Sequence, residues 1–163
     1  MSAKRSRALR AGLESLERRE TPTTHALAAA ATTHVADISS KGFAAVILSQ
    51  PIINGQKVVT MISGNSAAIG GSYTGELDVF YGLNSKLGAG TGVITTSTGA
   101  TIKLSLKSTV QVPTMPLGQG DVIKFTVTGG TGTFANATGH GTLTGHVNYL
   151  FNFPYVVTGR IKF

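Results

Sequence analysis

From residue 36 onward the chain alternates apolar and polar side chains with a period of two, the mark of strands buried on one face. The clearest run is Thr101–Val112. Ile102, Leu104, Leu106, Ser108, Val110 and Val112 fall on one side, and Thr101, Lys103, Ser105, Lys107, Thr109 and Gln111 on the other. Asp121–Thr128 repeats the pattern with Ile123, Phe125 and Val127 inward. Gly141–Phe151 does so with Leu143, Val147, Tyr149 and Phe151, and Tyr155–Phe163 with Tyr155, Val157, Ile161 and Phe163. Upstream, Tyr73–Tyr81 sets Tyr73, Leu77, Val79 and Tyr81 against Thr74, Glu76 and Asp78. Phe43–Leu48 and Val58–Ser63 are apolar on both faces, which predicts either covered strands or a contact with another subunit. Turn signals stand at Asn54-Gly55, Gly64-Asn65, Asn84-Ser85 and Thr98-Gly99, with a longer loop at Pro113–Gly120. The pattern predicts an all-β fold of about eight strands, an antiparallel barrel or sandwich. Closure into a barrel removes the sticky edges that long threonine-rich strands otherwise expose.

Composition changes near residue 35. Every aromatic and every glycine but Gly12 follows it, whereas residues 1–20 carry six basic and three acidic groups and leucines at 9, 13 and 16. Residues 1–35 are expected to form a leader or tail outside the core, with the barrel domain at 36–163. Leu9, Leu13 and Leu16 have a helical period, but so short a helix is marginal in water. The formal net charge is +7. Past the tail the lysines look scattered and Arg160 is the one arginine after Arg19, so no nucleic-acid partner is expected. With no cysteine there is neither a disulfide nor a thiolate-bound zinc. No apolar run approaches a transmembrane helix.

Two resemblances bear on destination and fold. Leu13-Glu14-Ser15-Leu16-Glu17-Arg18-Arg19, followed by Pro22, resembles the leaders of many exported proteins of planctomycete bacteria. It implies export to the cell surface or medium, although Ala26–Ala31 is shorter and less apolar than the centre of an ordinary secretory signal. The alternative is a charged tail without a targeting role. Gly129-Gly130-Thr131-Gly132-Thr133-Phe134, continuing through Ala137 to Gly139 and preceded by Thr98–Ile102, resembles the allene oxide cyclase and dirigent barrel superfamily, above all its uncharacterised bacterial members. That resemblance implies an eight-stranded antiparallel β-barrel, frequently trimeric, whose characterised relatives cyclise an epoxide fatty acid or steer phenoxy-radical coupling.

The chemistry of those relatives relies on acids inside the barrel. Here parity turns Glu76 and Asp78 outward, Asp121 sits at a strand mouth, and Asp37 lies near the tail. No catalytic residue is assigned. His140 and His146 are about 20 Å apart along an extended strand and cannot grip one metal ion. Gly130-Thr131-Gly132 and Gly139-His140-Gly141 lead into strands, unlike a dinucleotide fingerprint, so neither a metal nor a cofactor is expected. The candidate ligand-binding set is the barrel interior: Tyr73, Tyr81, Leu104, Leu106, Ser108, Phe125 and Tyr149. These side chains either fill the barrel or line a pocket for a small apolar ligand oriented by phenols. The reading is an exported, non-catalytic module with a structural or binding role, self-associating, with a trimer as the first candidate. The alternative is a cyclase or dirigent-type protein acting on an apolar or phenolic molecule inside the barrel.

Overall fold

The computed structural model describes residues 33–82, 88–109, 120–146 and 152–163. Among them eight antiparallel strands close a barrel in sequence order: β1 (Val35–Ile52), β2 (Gly55–Ser66), β3 (Gly71–Gly82), β4 (Ala89–Thr96), β5 (Thr101–Ser108), β6 (Gly120–Gly130), β7 (Thr138–His146) and β8 (Phe153–Lys162). Closure comes from β1, which pairs with β2 on one side and β8 on the other. No helix among the described residues is long and apolar enough to cross a membrane. The expected leader lies outside the described residues as far as residue 32. Val35 already pairs with Lys162, and His34 exchanges backbone hydrogen bonds with Phe163 at 2.7 and 2.9 Å.

Alternation decides what the barrel contains. Leu77, Val79, Ile102, Leu104, Leu106, Ile123, Phe125, Val127, Val157 and Ile161 are all buried, while their polar neighbours on β3, β5 and β6 face outward. One end is stoppered by two short 3-10 turns, Ala67–Ile69 and Gly132–Phe134, whose Ile69 and Phe134 join the core cluster. Phe134 packs against Phe163 with ring centroids 4.8 Å apart. The glycine-rich segment is therefore a tight β6–β7 connection. Gly129 and Gly132 take positive φ of 129° and 58°, open to glycine at little cost.

One expected turn needs amendment, and two other runs are described more closely. Gly64 and Asn65 do not turn: both are paired within β2, and the chain reverses instead through Ala67–Gly70. The run expected over Thr101–Val112 is described as strand only to Ser108, and Val110, Gln111 and Val112 lie outside the described residues. The doubly apolar strands split their side chains. Ala44, Val58 and Ile62 enter the core, whereas Phe43, Ile47, Leu48 and Met61 stay exposed. A bulge between Val46 and Leu48 breaks the alternation there, because the extra residue shifts every later side chain by one face.

Candidate functional site

The two phenols that meet in the interior, Tyr73 and Tyr155, come from one transverse row. Cross-strand pairing aligns Gly145 on β7, Tyr155 on β8, Gly42 on β1, Gly64 on β2 and Tyr73 on β3. The glycines leave room for the two phenols. A Cβ on Gly42 would stand 2.6 Å from the Tyr155 hydroxyl, and one on Gly64 would stand 2.6 Å from that of Tyr73. Laid over bare backbone, the phenols meet with their oxygens 2.8 Å apart.

Around that contact lies a small hydroxyl network. Ser40 Oγ donates to the Asn65 carbonyl at 2.8 Å and lies 2.9 Å from the Tyr73 hydroxyl. Tyr155 donates to the Ser63 carbonyl at 3.1 Å. Three hydroxyls thus serve four short oxygen–oxygen contacts, with one hydrogen each. With Ser40 and Tyr155 committed to carbonyls, the Tyr73 hydrogen serves Ser40 or Tyr155, one at a time. Burial, and then the hydrogen bond with Tyr73, hold the Tyr155 phenol well above its ordinary pKa. Ser66, also buried, has a hydroxyl with no partner among the described residues.

Beside this network the barrel centre holds a cavity of about 50 Å³, walled by aliphatic side chains with Tyr73 and Phe125. That is a third of the roughly 150 Å³ known to hold a benzene in an engineered core, and far below the ~300 Å³ at which drug-sized pockets begin. Of the candidate residues, Tyr73, Leu104, Leu106 and Phe125 line the cavity. Tyr81 and Ser108 are buried apart from its lining, where Gly88 admits both: a Cβ there would lie 2.7 Å from the Tyr81 ring and 3.0 Å from Ser108 Cβ. Tyr149 lies outside the described residues. Ser40 and Tyr155 were not among the candidates. Tyr155 carried the inward parity that would have included it, whereas Ser40 stands in a part of β1 with no periodic signal.

Among the described residues the acids keep to the outer surface. Asp78 pairs with Lys57 at 2.6 Å and Asp37 with Arg160 at 2.8 Å, and Glu76 is exposed. The guanidinium of Arg160 holds the Asp37 carboxyl below the usual carboxylate range. The side chains of Asp121 and His146 lie outside the description, and His140 is exposed. Among the described residues no three His, Cys, Asp or Glu side chains group to hold a metal.

Comparison with known proteins sets this geometry in context. No family model matches the chain, and no curated protein does. Among solved structures, a pterocarpan synthase dirigent protein superposes with a TM-score of 0.51 at 10% identity, over 80% of this chain and 90% of that one. The fold is that of a dirigent-like barrel. At such low identity the likeness extends to the fold alone. A pyocyanin demethylase aligns at 16% identity over 77% of this chain and all of its own, with a TM-score of 0.41 that carries no argument.

Proposed function

We propose that this dirigent-like barrel is an exported bacterial module, acting at the cell surface in a structural or binding role without catalysing a reaction. The observation that carries the reading is the interior: eight strands pack apolar side chains around a cavity of about 50 Å³. Beside it, the polar groups Ser40, Tyr73 and Tyr155 are occupied with one another and with carbonyls. A ligand of more than a few heavy atoms does not fit this central cavity without displacing packed side chains. The basic, leucine-spaced N-terminal segment supports export, and the exposed Phe43, Ile47, Leu48 and Met61 support self-association, with a trimer as the first candidate.

A second reading, a dirigent-type or cyclase role on an apolar or phenolic molecule, is favoured by one observation. Two phenols meet beside the cavity, and Tyr73 lines it. A thermal-shift screen against apolar and phenolic compounds separates the two, since a ligand that binds only the folded state raises the melting temperature with its concentration. The structural reading expects no saturable shift from molecules larger than benzene. A saturable shift that Tyr73→Phe or Leu104→Phe abolishes would replace it with the dirigent-type reading.

A further inference from the structure

The barrel wall is electrically lopsided. Strands β1–β3 hold two lysines, Lys41 and Lys57, with three acids, Asp37, Glu76 and Asp78. Strands β4–β8 hold five cations, Lys103, Lys107, Lys124, Arg160 and Lys162, with the single acid Asp121. In sequence the lysines looked scattered, and the fold corrects this by bringing three of them onto one surface. Lys107 on β5 and Lys124 on β6 are direct cross-strand partners, both exposed. Lys103 lies four residues from Lys107 on the same outer face, about 14 Å along the strand.

Two like charges directly opposite each other in a ladder repel, and a neighbouring carboxylate ordinarily offsets that. None does so here. Among the described residues the ion pairs are Lys57 with Asp78 and Arg160 with Asp37, and neither touches β5 or β6. The rest of this wall is uniform in chemistry. Among the described residues the exposed side chains of β5, β6 and β7 are hydroxyls, Ser105, Thr126 and Thr128 among them, together with the three lysines and His140. Cross-strand pairing sets Thr91, Ser105, Thr126 and His140 in one continuous row beside the lysine pair.

We propose that the outer face of β5–β7 binds an anionic polysaccharide, a polymer of sugars bearing carboxylate, sulfate or phosphate. The lysines meet the charged groups, and the flanking hydroxyls exchange hydrogen bonds with sugar hydroxyls along an extended track. Two absences on this face choose the sugar polymer over other polyanions. Among the described exposed residues of β5–β7 there is no arginine, phenylalanine, tyrosine or tryptophan to read or stack bases, and Arg160, the next residue of the row on β8, is held by Asp37. The described exposed residues of β5–β7 also include no apolar side chain of the kind that wedges into a lipid surface, the nearest being the single valines Val93 on β4 and Val156 on β8.

The test is binding of labelled polygalacturonate to the full-length protein at 50 mM salt. Neutral dextran, duplex DNA matched for charge and phosphatidylglycerol vesicles are the comparisons. Saturable binding to the polyuronate is expected, none to dextran, and weaker binding to DNA and vesicles. Raising salt to 200 mM should weaken it about tenfold or more, as counterion release at three cations requires. K103Q/K107Q/K124Q should lose at least tenfold in affinity with no fall in melting temperature, because the change relieves repulsion. Lys57→Gln, on the opposite wall, should bind as the parent does. Undiminished binding by the triple variant, equal or tighter binding to DNA or vesicles, or no binding to polyuronate at 50 mM salt would each overturn the proposal.

Discussion

The buried hydroxyl network makes a quantitative demand that follows from counting hydrogens. If each of its four oxygen–oxygen contacts were a full hydrogen bond, Tyr73→Phe would remove two, Tyr155→Phe two, and the double variant three. Three hydroxyls supply only three hydrogens. With Tyr73 gone, Ser40 still donates to Asn65 and Tyr155 to Ser63, so one bond is lost. With Tyr155 gone, Tyr73 turns to Ser40, and again one is lost. The double variant loses two. At about 1 kcal/mol per bond, each single substitution should cost about 1 kcal/mol and the pair about 2, with a coupling energy within ~0.5 kcal/mol of zero. Phenylalanine keeps both rings over Gly42 and Gly64, so packing hardly enters the comparison. The assay is urea denaturation of the four proteins, read by far-ultraviolet circular dichroism with a common slope. A coupling near 1 kcal/mol, or a Tyr73→Phe cost twice that of Tyr155→Phe, would refute the hydrogen count.

The same phenol sets an alkaline limit. Because burial raises the folded-state pKa of Tyr155, its contribution is fully present below the unfolded tyrosine value near 10. It is lost as pH climbs beyond that value, at up to about 1.4 kcal/mol per pH unit. Denaturation between pH 9 and 11.5 should show a slope shallower by about one proton in Tyr155→Phe, and an unchanged slope would remove Tyr155 from the explanation. Gly64→Ala should cost about 1–3 kcal/mol, since its Cβ would lie 2.6 Å from the Tyr73 hydroxyl and force the phenol pair apart. A neutral result in chemical denaturation would mean the pair has slack. Ser66→Ala should raise stability by about 1 kcal/mol or more, because it removes a buried hydroxyl with no partner among the described residues. A loss in the same denaturation series would show that the hydroxyl is bonded after all.

Where side chains alternate without interruption, as on β3, β5, β6 and β8, the strands could be read directly from the chain. Strand β4 could not, because its inward positions include Gly90 and Gly92, which carry no side chain to mark a period. Leu77 from β3 occupies that space instead, and a Cβ on Gly92 would lie 2.7 Å from its Cδ2. On β1 the bulge and the exposed apolar residues hid an 18-residue strand behind a six-residue run. The cavity-lining residues Tyr73, Leu104, Leu106 and Phe125 followed from parity alone. The polar site did not. Tyr73 and Tyr155 are 82 residues apart, and only the register of five strands shows that they share a row with Gly42 and Gly64. A glycine inside a strand discloses its reason only through what the neighbouring strand lays over it, which is why Gly64-Asn65 resembled a turn. The lysines of β5 and β6 are the surface counterpart, remote in sequence and adjacent once paired.

The proposed role rests on an interior whose described residues enclose a central cavity of only about 50 Å³. Native mass spectrometry of the protein purified from its own host, with an organic extract analysed beside it, tests that directly. The expected result is an oligomer whose mass is that of its chains alone, with no small molecule enriched in the extract. A stoichiometric apolar or phenolic passenger would contradict it, and would make the cavity beside Tyr73 a binding site in use.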